Sequence, residues 1–359
     1  MERVHKPLVV ETNETIYDIE LCQIEIEITD RCNMLCQHCR VGRNGIIDMP
    51  VDQIVKIMQF AQQYSDNSRE IVISGGEPLL HRSFSSVLKA IRQGGGGFVA
   101  LTTNGFFLRE THFDLIGGLD FEEFTFSVSL DSLNPAEHDE FRVLKGSFEK
   151  TVEALRLIVK HRNDKLHVSM RTTLRPHQIS QMRDLSDFAY NIGCDRINFS
   201  AIMPAGRALD QKVLWMDCDQ KRQFIEQVHE LNQIYPSPFV VRTNDPLKCL
   251  MIDYEDNGES DEVVFGGCIA GSTTFNIRAD GTMTPCALLD VPMMNISNMT
   301  IEEIAAGYQA CAIVKNMLDM NLKGKCGKCS KKYQCGGCRA RALAHHGDYL
   351  AEDPDCWLE

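Results

Sequence analysis

The sequence predicts an α/β protein: a partial, TIM-like (β/α)6 barrel followed by a cysteine-rich module. Two observations carry this. Strand-like and helix-like segments alternate six times within about 210 residues, and the last ninety residues abandon that rhythm and collect cysteines. A doubly wound sheet is the other standard form of such a pattern. In either form, function gathers at the C-terminal ends of the strands.

Each unit has its own signal. Residues 21–29 alternate strictly, with Cys22, Ile24, Ile26 and Ile28 on one face and Gln23, Glu25 and Glu27 on the other. Met49-Pro50-Val51 then opens a helix carrying Ile54, Met58, Ala61 and Tyr64 at helical spacing. Strands follow at 70–74, 98–103, 124–130, 166–173 and 196–202. Helices separate and follow them at 84–92, 110–116, 148–161, 179–192 and 221–234. Beyond about Pro236 the rhythm stops. A run with Asp253, Glu255, Asp256, Glu259, Asp261 and Glu262 reads as a solvated loop. The expected division is an N-terminal extension at 1–20, the barrel at 21–235, a bridge at 236–265 and the cysteine module at 266–359.

Bulk properties narrow the function. With 359 residues and 43% apolar content the chain can bury a large core. The formal charge of −13 speaks against nucleic acid and leans toward a cationic substrate or a basic partner, although solubility alone accounts for it. No apolar run reaches membrane length and the first thirty residues lack a signal-peptide core, so a cytoplasmic protein without a membrane partner is expected. In that reducing compartment, fifteen cysteines read as metal sites rather than disulfides. The glycines at 94–97 form a helix-to-strand loop without the Lys-Ser/Thr of a phosphate loop.

Cys32, Cys36 and Cys39 stand in a Cys-x3-Cys-x2-Cys array directly after the first strand. Three thiolates on one loop hold three irons of a [4Fe–4S] cube and leave the fourth open. Ser74-Gly75-Gly76-Glu77-Pro78 ends the second strand. Its glycines admit close approach of a ligand, and the Glu77 carboxylate suits an ammonium group. Thr103-Asn104-Gly105 ends the third strand, Ser129-Leu130-Asp131 the fourth, Arg171 lies in the fifth, and 198–204 closes the sixth. Asp131 also reads as a helix N-cap. The C-terminal module carries Cys268, Cys286, Cys326, Cys329, Cys335, Cys338 and Cys356. Zinc takes the same Cys-x2-Cys spacing as an iron–sulfur cluster.

These arrays together resemble the radical S-adenosylmethionine (SAM) enzymes with a C-terminal SPASM extension. The resemblance implies a SAM-binding [4Fe–4S] cluster on Cys32, Cys36 and Cys39. It implies SAM held near Gly75, Gly76, Glu77, Asn104, Ser129, Arg171 and Ile202, with Glu77 serving the methionine amino group. His38 and Arg40 stand where the family usually has aromatic residues. It further implies one or two auxiliary clusters, one on Cys268, Cys286 and Cys338, the other on Cys326, Cys329, Cys335 and Cys356. Here two residues rather than the usual three precede Cys338, and the first cube lacks one thiolate.

The leftover cysteines Cys22, Cys194, Cys218 and Cys311 read as ordinary structural thiols. Cys249, in the bridge, has three readings: a structural thiol, the missing ligand, or a hydrogen-atom donor. The third is preferred, because a thiol opposite the 5′-deoxyadenosyl radical returns hydrogen and inverts a carbon centre. Glu25 and Glu27 are candidate contacts for a cationic substrate, with solvent exposure on an edge strand as the other reading. The expectation is therefore a radical SAM epimerase of an aminoglycoside-type molecule, with Cys249 catalytic. The alternatives are a peptide maturase forming thioether or carbon cross-links, a SAM-dependent dehydrogenase and, remotely, a non-catalytic electron carrier. A flavodoxin- or ferredoxin-type electron donor is the expected partner.

Overall fold

The computed structural model describes residues 5–42, 45–66, 68–251 and 267–358. Two short strands, β1 (Leu8–Glu11) and β2 (Ile16–Ile19), form an antiparallel hairpin ahead of the main body. The six expected strands follow as β3 (Gln23–Thr29), β4 (Glu70–Gly75), β5 (Phe98–Thr103), β6 (Glu123–Ser129), β7 (Leu166–Leu174) and β8 (Arg196–Ala201). A further strand, β9 (Val240–Thr243), extends the run past the point where the sequence rhythm stops. At four residues it is too short to show alternation.

All seven strands from β3 to β9 are parallel and lie in chain order. A doubly wound sheet reverses its strand order partway; this one never does, so it curls as a partial barrel. The other end of the sheet is extended by the C-terminal module. Its strand β10 (Thr274–Ile277) pairs in parallel with β3, and β11 (Thr282–Thr284) and β12 (Met294–Asn295) continue antiparallel. The two parts thus share one ten-stranded sheet.

Alternation along each strand sorts the two faces. Ile24, Ile26, Ile28, Ile71, Ile73, Leu101, Phe126, Val168, Ile197 and Phe199 point outward and are all but inaccessible. Each such side chain contributes roughly 2 kcal/mol of apolar burial. Helices α1 (Val51–Tyr64), α2 (Phe84–Gln93), α3 (Glu110–Leu119), α4 (Pro135–Arg142), α5 (Ser147–His161), α6 (Met182–Ile192) and α7 (Cys218–Ile234) belong to this barrel region. α4 carries little apolar periodicity. Its start is set by Asn134, whose side chain accepts from the Ala136 and Glu137 amides, with Pro135 in the first turn. Asp131 is therefore not the cap: it is fully buried and serves another purpose.

The C-terminal module adds α8 (Ile301–Ala310), α9 (Ala312–Leu318), α10 (Gly324–Lys328), α11 (Lys332–Cys335) and α12 (Arg339–His346). The acidic stretch expected as a solvated bridge loop lies outside the described residues. Among the described residues, no helix is long and apolar enough to cross a membrane.

Candidate active site

The first cysteine loop leaves the C-terminal end of β3 and is pinned by backbone contacts. Arg207 donates from Nε to the Cys36 carbonyl at 2.9 Å and from its amide to the Cys39 carbonyl at 2.9 Å, and Gln211 Nε2 donates to the Gln37 carbonyl at 3.0 Å. Cys32, Cys36 and Cys39 line one cavity of about 180 Å³ together with Gly75, Gly76, Asn104, Ser129 and Arg171. Five neighbouring strands, β3 to β7, thereby bring residues to the same place. Burial pushes the Cys32 thiol up to about 12 and the Cys36 thiol upward, so these sulfurs ionise only against a strong positive partner, which iron would supply. Arg142 Nη1 lies 3.7 Å from Cys36 Sγ, and its Nε is held at 2.6 Å by Asp131. The residues fit a cluster loop.

Gly75 shows why this turn needs glycine. It has φ +125°, and a Cβ there would sit 2.2 Å from the Thr29 carbonyl oxygen; one on Gly76 would sit 2.1 Å from that of Arg31. The turn packs directly against the end of β3, so its backbone faces the cavity.

Two of the expected SAM contacts are placed differently. Glu77 is fully buried behind the turn and does not line the cavity. Its carboxylate accepts from Thr103 Oγ1 at 2.7 Å, the Asn104 amide at 2.8 Å and the Leu79 amide at 3.2 Å. Its carboxylate joins β4 to β5, and the glycine backbone beside it lines the cavity. Ile202 packs with Phe141 and Ala208 instead, and the cavity wall at that point is Ser200, Ala201 and Met203. His38 lines the cavity and stacks on Phe141 at 4.4 Å. Burial pushes its imidazole down to about 3, so it stays neutral.

A second, larger cavity of about 480 Å³ fills the barrel lumen and shares Glu25, Arg40, Thr102, Arg171, Ser200, Ala201, Met203 and Leu288 with the first. Cys268, Cys286 and Cys338 line its other side. Burial, with the neighbouring Cys268 and Cys338, pushes the Cys286 thiol up to about 12. The Leu289 amide donates to Cys286 Sγ at 3.2 Å. Cys326, Cys329, Cys335 and Cys356 surround a separate small cavity, with amide donors from Asp353 to Cys326 Sγ at 3.3 Å and from Gly337 to Cys335 Sγ at 3.4 Å. N–H donors aimed at sulfur suit anionic thiolates. Among the described residues no three metal-binding side chains converge on a single ion. The two sets surround cavities instead, as a multi-iron cluster needs.

A charged web joins the two sets. Arg341 donates from Nη1 to Asp245 Oδ2 at 2.5 Å and from Nη2 to Asp353 Oδ2 at 2.6 Å, and Asp353 Oδ2 also accepts the Cys338 amide at 2.7 Å. Lys221 Nζ reaches Asp245 at 3.1 Å. The sequence reading missed this web. Arg341 lies three residues after Cys338, but nothing local marks Asp245 as its partner.

Glu25 lines both cavities, Glu27 is buried, and both carboxylates are paired. Arg40 takes both, Nη2 to Glu25 Oε1 at 2.5 Å and Nη1 to Glu27 Oε1 at 2.5 Å. Arg40 therefore bridges the two carboxylates of β3 and offsets one of their two negative charges. Cys249 is placed away from the lumen. It lies in the 3-10 turn Pro246–Met251, fully buried in the core and close enough to Cys335 to raise that thiol electrostatically. Pro246 and Lys248 line the lumen; Cys249 does not. Of the other leftover cysteines, Cys194 is buried, Cys218 and Cys311 are half-buried, and Cys22 is exposed just ahead of β3.

A three-cysteine loop at the end of the first barrel strand, a glycine turn beside it and cysteine sets beyond the lumen are the donor sets of an iron–sulfur protein. Residues 26–189 match the Radical SAM superfamily, and residues 268–338 match SPASM, an iron-sulfur cluster-binding domain. The protein is a radical SAM enzyme with a SPASM domain; its cofactors are the SAM-binding [4Fe–4S] cluster, auxiliary clusters and SAM. It is 27% identical over 342 residues to the AdoMet-dependent heme synthase of Methanosarcina barkeri, covering 92% of this chain and 94% of that one. It is 25% identical over 336 residues to the antilisterial bacteriocin subtilosin biosynthesis protein AlbA of Bacillus subtilis, covering 88% of this chain and 67% of that one. The fold is similar to Streptococcus suis SuiB bound to S-adenosylmethionine, with a TM-score of 0.72 at 16% identity over 94% of this chain and 78% of that one.

Proposed function

We propose that this enzyme oxidises its substrate as a peptide maturase does, removing hydrogen from a carbon held in the lumen, rather than epimerising an aminoglycoside. The observation that carries this is the continuity of the lumen. One cavity runs from the SAM-side residues Arg171, Ser200 and Met203 to Cys268, Cys286 and Cys338. When bound, the first cluster and SAM supply the hydrogen-abstracting radical, and the auxiliary clusters supply an acceptor for the remaining electron. The chain's own residues do the rest. The small lumen side chains Ala100, Ser127 and Ser169 leave room for substrate, while Met203 and Leu288 border both cavities. Three thiols belonging to the auxiliary set are the only ones among the described lumen residues, which leaves an inverting thiol donor without a position there.

A relative named for subtilosin biosynthesis supports a peptide substrate. A second reading, a carboxylate-bearing tetrapyrrole, is favoured by the likeness to a heme synthase along 94% of that relative's length. The test is anaerobic turnover of reconstituted enzyme with SAM, reductant and a peptide library in D2O, followed by mass spectrometry. The expected product is lighter by two daltons per 5′-deoxyadenosine formed, and Cys249→Ala retains it with full iron content. A one-dalton gain in a substrate isomer, lost in Cys249→Ala, would overturn the proposal in favour of epimerisation.

A further inference from the structure

One side chain joins two loops that carry iron ligands. Arg40 follows Cys39 of the first cysteine loop, and Ala287 follows Cys286 of the auxiliary set. The Arg40 side chain lines both cavities and stands at their border. From Nη1 it donates to Glu27 Oε1 at 2.5 Å and to the Ala287 carbonyl at 3.1 Å. From Nη2 it donates to Glu25 Oε1 at 2.5 Å and to Ser74 Oγ at 3.1 Å. Glu25 and Glu27 are two positions apart on β3, so they share a face at a spacing of about 6.7 Å along the strand. A planar fork of N–H donors meets two such carboxylates and a carbonyl together; a lysine ammonium offers three donors on one atom. A second path runs the same way. Asn276 of β10 lies beside Glu25 in the register and donates from Nδ2 to Glu27 Oε1 at 3.3 Å and to Thr284 Oγ1 at 3.2 Å. Thr284 Oγ1 in turn donates to the Cys286 carbonyl at 3.1 Å. Successive carbonyls of the auxiliary turn are thus tied to the β3 carboxylates that also hold the residue after Cys39. The Arg40 and Glu25 side chains are 21% exposed and that of Glu27 8%, so salt screens the tie weakly.

We propose that Arg40 is a positioning residue that couples the auxiliary site at Cys286 to the SAM site at Cys39. Displacing the Ala287 carbonyl leaves a guanidinium N–H unmade in a largely buried place, which the fork can recover only by shifting against Glu25 and Glu27. The shift moves the backbone directly after Cys39 and the Glu25 side chain, which lines the SAM-side cavity. An ordered auxiliary turn therefore favours one geometry of the first loop. By linkage, SAM held at that loop favours the ordered auxiliary turn to the same degree. No substrate takes part in this coupling, so it is independent of whether the lumen takes a peptide or a tetrapyrrole.

The test is a double-mutant cycle on anaerobically reconstituted protein. Equilibrium dialysis gives the SAM affinity of the unmodified chain, Cys286→Ala, Arg40→Lys and the double variant, and the iron-to-protein ratio is taken for each. Arg40→Lys keeps the positive charge beside Glu25 and Glu27 but gives up the bond to Ala287. In the unmodified background Cys286→Ala weakens SAM binding about fivefold or more, the lower end of coupling between sites. In the Arg40→Lys background the same change costs less than about twofold, because the path is already cut. Losses that simply multiply overturn the proposal, and so does a SAM affinity unchanged in Cys286→Ala. Electron paramagnetic resonance of the reduced protein gives a second readout that needs no cysteine variant. Arg40→Lys shifts the auxiliary-cluster signal, although the hydrogen bond of Arg40 to that turn is made at the Ala287 carbonyl and not at a thiol. An auxiliary signal identical to that of the unmodified protein overturns the proposal. Where Cys286→Ala also loses the iron of the first loop, this spectral comparison alone decides.

Discussion

Asp131 shows how a single residue can carry a site without touching a ligand. Burial alone would raise its carboxyl, but the Arg142 guanidinium at 2.6 Å outweighs that and holds it at about 2. A carboxyl depressed from about 3.9 in the unfolded chain to about 2 contributes roughly 2 kcal/mol above pH ~5. That contribution fades only as pH falls from about 4 toward 2. Asp131→Asn is therefore expected to lower the melting temperature by an amount that stays constant between pH 8 and pH 5.5. It leaves a buried guanidinium without its counter-charge, at a cost of about 3–5 kcal/mol. Thermal melts across that range check it, and a gap that narrows toward pH 5.5 would show that the pair titrates higher than this. The same variant frees Arg142 from its place beside Cys36, so iron retention by the first loop is expected to fall with stability.

At the scale of the element, the glycine turn after β4 is the most constrained segment of the site. Gly75→Ala forces a Cβ to within 2.2 Å of the Thr29 carbonyl oxygen, at a φ of +125° that side chains rarely adopt. Gly146 has a positive φ too, but a Cβ there meets nothing within 4 Å. Gly146→Ala is thus expected to cost about 1 kcal/mol, the left-handed penalty alone. Gly75→Ala is expected to cost more than twice that and to weaken SAM binding at least tenfold. Melting temperature and equilibrium dialysis with SAM separate the two; equal losses in both variants would mean the turn is not packed as described. The sequence made this element legible because Gly-Gly-Glu follows an alternating strand. It did not show the glutamate's own partners, because the Thr103 and Asn104 donors come from a different strand.

Across the whole molecule, barrel and C-terminal module are bound by a shared sheet and by the buried Arg341 web. Arg341 is 2% exposed and Asp245 6%, so removing the guanidinium leaves Asp353 without a counter-charge in the interior and Asp245 with Lys221 alone. Arg341→Met is expected to destabilise the chain by about 3–5 kcal/mol and to lower auxiliary iron, because Asp353 also accepts the Cys338 amide. Melting temperature and iron-to-protein ratio measure this. Unchanged iron in a destabilised Arg341→Met would confine the web to a structural role. The web runs between residues 96 apart in the chain, so no local pattern announces it.

Alternation at a period of two and cysteines at fixed spacing are local properties, and the sequence by itself therefore determined the six barrel strands, the cysteine loop and the class of enzyme. Side-chain partnership is not local. Only the tertiary structure decided that Arg40 bridges Glu25 and Glu27, that Cys249 turns into the core, and that Arg341 meets Asp245 and Asp353. Net charge counts every ionised group alike. The lumen's character instead depends on which charges remain unpaired where the strands meet, and that is fixed by register and curvature.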